Sequence, residues 1–262
     1  MHKSFVDIPD PMFDLIGNSW LTLKLWLASH AVAPVLQWLQ INDASLQPEA
    51  IAGAAMYALL QIGIIALVFR PLETLAPAER WDNRDHTRID RLYTLIMLLG
   101  LFPLFSYLML QPFGRFFASD EQAATGVHGL RAWIPWLDHH EYVLLLVYYI
   151  LYDLTYYWMH RLQHLIPWWW ALHSMHHSQR QLSCWSNDRG SYLDGALQSF
   201  VLAAVGVVMG IDIEDFALLT LISELVQNYS HTNTRLGFGK LLERIFVDPK
   251  FHRLHHMVAD HA

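Results

Sequence analysis

The chain has 262 residues, of which 54% are hydrophobic and 16% are charged, whereas ordinary soluble proteins carry roughly 25% charged residues. This composition predicts a single membrane domain covering residues 1–262. The formal net charge of −7 excludes a basic surface for nucleic acid, and the presence of only one cysteine, Cys184, excludes an intrachain disulfide framework and a four-cysteine cluster.

Apolar runs predict helices that cross a membrane or lie in its interface. Residues 1–50 contain an apolar stretch, 20–39, that is interrupted by Lys24, His30 and Pro34, so this segment is expected either to span or to lie along the interface. Later runs occupy residues 51–69, 92–110, 142–159, 193–210 and 216–226. The first three of these are long enough to span, and the last two either cross or form a re-entrant hairpin. The prediction is an all-α, polytopic helical bundle with about four spans.

Basic residues in the loops predict the orientation of this bundle. The segment 70–91 contains five arginines, while the longer segment 111–140 contains two. Because lysine and arginine are enriched in cytoplasmic loops, segment 70–91 is predicted to be cytoplasmic. Following the chain through the later runs brings every histidine-rich segment to that same side. The sequence therefore predicts an integral, multi-pass protein with a histidine-rich cytoplasmic cap.

Histidines dominate the candidate site. The chain has 16 of them, and nine fall in short clusters: His160 and His164, then His173, His176 and His177, then His231, and finally His252, His255 and His256. A spacing of four residues places two rings on one helix face. The His-x-x-His-His pattern, which occurs twice, predicts three rings that converge on one point beside a helix.

The clustered histidines predict a metal centre. Crowding protonated rings together is costly, whereas neutral imidazoles that share metal ions avoid this cost. Nine nitrogen donors exceed the four ligands of a tetrahedral zinc site, so two ions are expected. Imidazole suits iron, copper and zinc alike, so the donor type leaves the metal open. A site that opens from a lipid-facing bundle favours redox iron acting on apolar substrates.

These boxes resemble those of the fatty acid hydroxylase/sterol desaturase superfamily, the membrane histidine-box oxygenases. The resemblance covers roughly residues 90–256, and it includes the Trp-Ala-Leu-His sequence at 170–173 and the Asn-Tyr-Ser-His-Thr-Asn sequence at 228–233. It implies a helical membrane fold with a cytoplasmic cap, two iron ions and O₂ as co-substrate. It also implies a separate electron donor, of the cytochrome b5-like or ferredoxin-like type.

Two positions depart from the family pattern. Gln227 stands where some relatives carry a further histidine, one turn before His231. Relatives also continue past the last histidine box, whereas this chain stops at Ala262, so a truncated C-terminus is expected.

The predicted function is an O₂-dependent, non-haem di-iron oxidation that hydroxylates or desaturates a C–H bond of a membrane lipid, such as a sterol, a fatty acyl chain or an ether lipid. The alternatives are a histidine-rich membrane protein that transports or binds metal and an inactive truncated homologue. Side chains that could orient the ligand rings through their N–H groups are Asp153, Asp188, Asp194 and Gln227. Ordinary capping or interface roles are the competing interpretation for each of them.

Overall fold

The computed structural model describes residues 11–41, 47–99, 129–211 and 213–257. The regular elements in these residues are helices, which confirms the all-α prediction. They are α1 (Pro11–Leu27), α2 (Ala33–Trp38), α3 (Pro48–Ile64), α4 (Arg70–Leu75), α5 (Thr87–Leu99), α6 (Leu130–Trp133), α7 (Glu141–Leu165), α8 (Pro167–His173), α9 (Tyr192–Met209), α10 (Ile213–Ser230), α11 (Gly239–Leu242) and α12 (Pro249–His256).

One helix of the described residues is long and apolar enough to cross a membrane. It runs over Pro48–Leu75 for 28 residues, through α3, the π-helical segment Ile65–Phe69 and α4, and contains the predicted span 51–69. The runs at 142–159, 193–210 and 216–226 form α7, α9 and α10. Of the run at 92–110, the part after Leu99 lies outside the described residues. The arrangement with about four spans therefore stays a prediction.

The chain divides into two compact units, residues 1–60 and 61–262. In the first unit the ring centroids of Trp20 in α1 and Tyr57 in α3 lie 5.2 Å apart. The second unit contains every clustered histidine.

Helix α7 organises the core of the second unit. Leu144, Tyr148 and Tyr152 follow one another every four residues and are fully or almost fully buried. Side chains of α9 and α10, among them Leu202 and Leu219, belong to the same two core clusters. The opposite face of α7 carries large apolar side chains that are about half exposed, namely Leu146, Ile150, Leu154, Tyr157 and Trp158. This helix thus packs on one face and presents an apolar surface on the other.

A sharp corner after α7 directs the chain back towards the last two turns of that helix. Ile166 has an extended conformation (φ −96°, ψ 117°), as expected for a residue that precedes proline, and Pro167 then begins α8. Because of this corner, His173 at the end of α8 faces His160 and His164 at the end of α7. Their ring centroids lie 4.9 Å and 5.1 Å from that of His173.

A buried glutamate joins three distant segments of this unit. The side chain of Glu73 in α4 is fully buried. Its Oε1 accepts hydrogen bonds from the backbone N–H groups of Cys184 (2.7 Å) and Asn233 (3.0 Å), and its Oε2 pairs with Arg84. Glu73 thus fixes the segments before and after α9 and α10 against the chain that leaves α4.

Replacing Glu73 by alanine is expected to destabilise the protein by about 3–5 kcal/mol, because the substitution leaves a charged partner and two buried amides without an acceptor. The measurement is the thermal unfolding midpoint in detergent. Asp85→Ala is the matched control, since it removes an exposed ion pair with Arg88, which contributes at most about 1 kcal/mol. Equal midpoints for the two variants would contradict the structural role of Glu73.

Candidate metal centre

The nine clustered histidines lie together beside the last two turns of α7. Eight of them form two groups, within each of which the candidate ligand atoms lie within 4.8 Å of one another. The first group, position A, consists of His160, His164, His173 and His177. The second group, position B, consists of His176, His231, His252 and His256.

The ninth histidine, His255, lies with position A. Its Nε2 is 2.9 Å from Nε2 of His160, and its ring centroid lies 4.7 Å from that of His164 and 4.8 Å from that of His177. Position A is therefore surrounded by five imidazoles and position B by four. The two positions adjoin, since the rings of His177 and His256 stack with centroids 4.3 Å apart.

The two His-x-x-His-His boxes do not each converge on one point, so the prediction from their spacing is wrong in this respect. In the box at 173–177, His173 and His177 belong to position A and His176 to position B. In the box at 252–256, His255 lies at position A, while His252 and His256 belong to position B. Successive residues of a helical turn point about 100° apart, so adjacent histidines serve different positions and each box contributes to both.

The backbone fixes the protonated nitrogen of two rings in position B. Nδ1 of His176 lies 3.1 Å from the carbonyl oxygen of Arg189, and Nδ1 of His231 lies 2.7 Å from that of Gln227. A carbonyl oxygen only accepts, so in each neutral ring the proton sits on Nδ1 and Nε2 carries a lone pair. The two Nε2 atoms nevertheless face each other at 3.1 Å. Two lone pairs at this separation repel unless a cation lies against both, which is what a shared metal ion provides.

Other ring nitrogens in the cluster are buried without a hydrogen-bond partner. They are Nδ1 of His160, Nε2 of His164, Nε2 of His173, Nε2 of His177 and Nδ1 of His256. Buried polar atoms normally have a partner, and one left without costs about 1–3 kcal/mol. Nε2 of His252 also lies within 2.9 Å of Nε2 of His231 and 3.1 Å of Nε2 of His256. The donor set therefore fits a pair of imidazole-bound metal ions.

Burial keeps these rings neutral. Removal from water lowers the pKa of His164 and of His231 to about 4, and that of His160 and of His177 to about 2. Burial and the neighbouring imidazoles also lower the pKa of other rings in the cluster, those of His176, His252, His255 and His256. At neutral pH these rings therefore offer lone pairs, the form that binds a metal ion.

Of the four residues predicted to orient the ligand rings, Asp194 contacts a ring of the cluster with its side chain. Its Oδ2 accepts from Nδ1 of His173 at 2.9 Å, and its Oδ1 accepts from Nε2 of Gln163 at 2.7 Å and from Nε1 of Trp169 at 2.8 Å. The carboxylate itself is buried. This hydrogen bond directs the unpartnered Nε2 of His173 into position A.

The other three predicted orienting residues are placed differently. Gln227 contacts His231 through its backbone carbonyl, while its side chain donates to Oγ of Ser223 at 3.1 Å. Burial raises the pKa of Asp188 to about 6, and no hydrogen bond joins Asp188 to a histidine of the described residues. Asp153 has an exposed side chain on α7 and likewise makes no hydrogen bond to any described histidine.

Two arginines also stabilise the cluster. Arg189 supplies its carbonyl to His176, while its side chain donates to Oδ1 of Asp90 at 3.1 Å. Arg253, inside the last box, donates to the carbonyl of Thr232 at 3.2 Å and to Oδ1 of Asn233 at 3.1 Å. Arg253 could be found from the sequence, because it lies inside a histidine box. The carbonyl of Arg189 could not, because every residue has a backbone carbonyl.

The start of α12 places the last histidine box. Oδ1 of Asp248 accepts from the backbone N–H of Phe251 at 2.8 Å, and Pro249 is the first helical residue. This is a common arrangement at a helix N-terminus. The sequence Asp248-Pro249 is therefore a local signal that fixes the phase of His252, His255 and His256.

Comparison with known families identifies the C-terminal part of the chain. Residues 145–262 match the fatty acid hydroxylase family, which is the fatty acid hydroxylase/sterol desaturase superfamily predicted from the histidine boxes. The match confirms, for these residues, the resemblance indicated by the histidine boxes, and members of that family are membrane-associated enzymes of the hydroxylase type. No curated protein and no solved structure matches the chain.

The metal-free protein is expected to lose stability as the pH falls below about 6.5, the pKa of an unfolded histidine. Between that value and the lower folded-state values of about 4 and about 2, the unfolded state binds more protons. The free energy of unfolding then falls by at most about 1.4 kcal/mol per pH unit for each such histidine, and by less for His164, which is only partly buried and is screened by solvent. The measurement is the thermal unfolding midpoint of chelator-treated protein between pH 7.5 and 5. An unchanged midpoint across this range would show that the rings are not buried together.

Proposed function

We propose that the chain is an O₂-dependent di-iron oxidoreductase that hydroxylates or desaturates a C–H bond of a membrane lipid. The observation that carries the proposal is the pair of adjoining imidazole groups, in which unprotonated nitrogens face one another. The match of residues 145–262 to the fatty acid hydroxylase family supports the same chemistry.

The bound metal would supply the redox chemistry with O₂ that imidazole side chains alone do not possess. The residues of positions A and B would hold the two ions as neutral donors. Asp194 and the carbonyls of Arg189 and Gln227 would keep three rings in the required tautomer. Burial of His173, His176, His177 and His231 would keep water away from the ions.

The contacts of the basic segment favour a cytoplasmic location for the histidines. Oε1 of Glu79 accepts from Nη1 of Arg253 at 2.7 Å, and the backbone N–H of Ala78 donates to the carbonyl of Asn233 at 3.2 Å. Segment 70–91 and the histidine cluster thus lie at the same end of the helices. Because that segment carries five arginines, the positive-inside rule assigns this end of a multi-pass bundle to the cytoplasm.

Two helices of the chain have exposed apolar surfaces that suit an apolar substrate. Helix Pro48–Leu75 is apolar and largely exposed, and α7, which ends in His160 and His164, has an exposed apolar face. Exposed apolar area of this extent is typical of contact with lipid. A metal-transport function would instead require ligands distributed along the spans, whereas both groups gather at one end of α7.

Electrons would come from a separate protein. The single cysteine of the sequence cannot bind an iron–sulfur cluster. A cytochrome b5-like or ferredoxin-like carrier that docks on the cytoplasmic side would supply the two electrons needed for each O₂.

Metal analysis of protein purified in detergent from iron-replete cells is expected to give two irons per chain. Alanine at His176 removes a ring from position B, and alanine at His255 removes one from position A. Each substitution should therefore lower the iron content and abolish turnover together. His86→Ala is the matched control, since His86 is exposed and lies outside the cluster. Stoichiometric zinc in the wild-type protein, or full turnover of His176→Ala, would contradict the proposal.

Product analysis separates the two outcomes of the proposed oxidation. Membranes that contain the protein, a reductant and ¹⁸O₂ are expected to yield a lipid that has gained one ¹⁸O atom, for hydroxylation, or lost two hydrogens, for desaturation. Mass spectrometry of the extracted lipids makes the measurement, with His255→Ala membranes as the control. A lipid profile identical to the control would contradict both outcomes.

A further inference from the structure

The two metal positions differ in the groups that support their rings. At position A the supporting group of His173 is the carboxylate of Asp194, at 2.9 Å. At position B the supporting groups of His176 and His231 are backbone carbonyls, at 3.1 Å and 2.7 Å. A carboxylate carries a full negative charge, whereas a carbonyl carries only a dipole.

Asp194 is held firmly in this role. Gln163 and Trp169 are both donors to Oδ1, which leaves Oδ2 for the N–H of His173. Gln163 is fully buried, and Asp194 and Trp169 are largely buried. A charge in such surroundings interacts more strongly with a nearby cation than it would in water. Its direction is also fixed before any ion arrives.

The charge balance of the cluster increases the importance of this one carboxylate. Imidazoles bind a metal ion as neutral donors, so the four positive charges of two divalent ions would not be offset by the rings. Among the described residues, Asp194 is the carboxylate that hydrogen-bonds a ring of the cluster. Other buried acids of this unit make no hydrogen bond to a described histidine: Asp90 accepts from Arg189 and Ser186, Glu224 accepts from Asn187, and Asp248 caps α12. The carboxylate that acts directly on a ligand ring therefore lies on the side of position A.

We infer that the two metal positions are unequal, and that Asp194 makes position A bind its ion more tightly than position B. The inference rests on the proposed function, in that the histidines hold two ions. Position A also has five surrounding rings against four, which acts in the same direction. The ions therefore load in order, A before B, and Asp194 is a positioning residue that acts through His173.

The test is metal binding to the metal-free protein in detergent, with Asp194→Asn as the main variant. Anaerobic titration with ⁵⁷Fe(II) against a competing chelator should give two steps for the wild type, and one equivalent of iron should give a single Mössbauer doublet. Asparagine at 194 can still accept from Gln163 and Trp169, but it presents an N–H to His173. The ring proton then moves to Nε2 and removes the lone pair from position A. The tighter step should weaken by about 10–100-fold, while the weaker step stays unchanged.

Asp248→Asn is the matched control. It also removes a buried carboxylate close to a histidine box, and asparagine retains the helix cap, yet Asp248 contacts the backbone of Phe251 and no ring. Both binding steps should keep their wild-type affinities. If Asp248→Asn weakened the tighter step as much as Asp194→Asn does, the inference would be overturned. The effect would then come from losing any negative charge near the cluster and not from the contact with His173.

Two histidine variants assign the steps independently of Asp194 and of any effect that its substitution has on folding. His164→Ala, at position A, should remove the tighter step, and His256→Ala, at position B, should remove the weaker one. The opposite assignment, two steps of equal affinity in the wild type, or equal weakening of both steps in Asp194→Asn would each overturn the inequality while leaving a two-iron protein. A wild type that binds no iron would overturn the proposed function itself.

Discussion

The structure of this site depends on one constraint, which is that unprotonated imidazole nitrogens face one another in a buried space. In His176 and His231 the N–H groups are directed to backbone carbonyls, so neither ring can donate a hydrogen bond to the other. Burial opposes protonation, which is the usual remedy for crowded histidines. A shared cation is the remaining way to satisfy both lone pairs, and the same reasoning covers the unpartnered nitrogens of position A.

The surrounding protein is organised to hold this unfavourable arrangement in place. Glu73 joins the chain after α4 to the segments that contain Cys184 and Asn233. Arg253 joins the last histidine box to Glu79 and to the turn after His231. These contacts connect residues that are 21 to 174 positions apart in the sequence, so they hold the cluster between distant segments of the chain. This is the preorganisation that a metal site of fixed geometry requires.

The division of each histidine box between two positions has a structural consequence. Because His176 and His177 face different positions, as do His255 and His256, neither position can be built without both boxes. The stacked rings of His177 and His256 form the boundary between the two positions. The centre is thus a single unit with two unequal halves, one backed by a carboxylate and the other by carbonyls.

The sequence alone determined the helical class, the histidines and their superfamily, because apolar runs and short-range spacing are local properties of the chain. It also named Asp194, although on equal terms with Asp153 and Asp188. Only the tertiary structure decided which rings share a position and which acid touches a ring. Both depend on the corner at Ile166 and Pro167 and on contacts between distant segments. The tertiary structure alone also showed the roles of the carbonyls of Arg189 and Gln227. Every residue has a backbone carbonyl, and the partner of that carbonyl is set only when the chain folds.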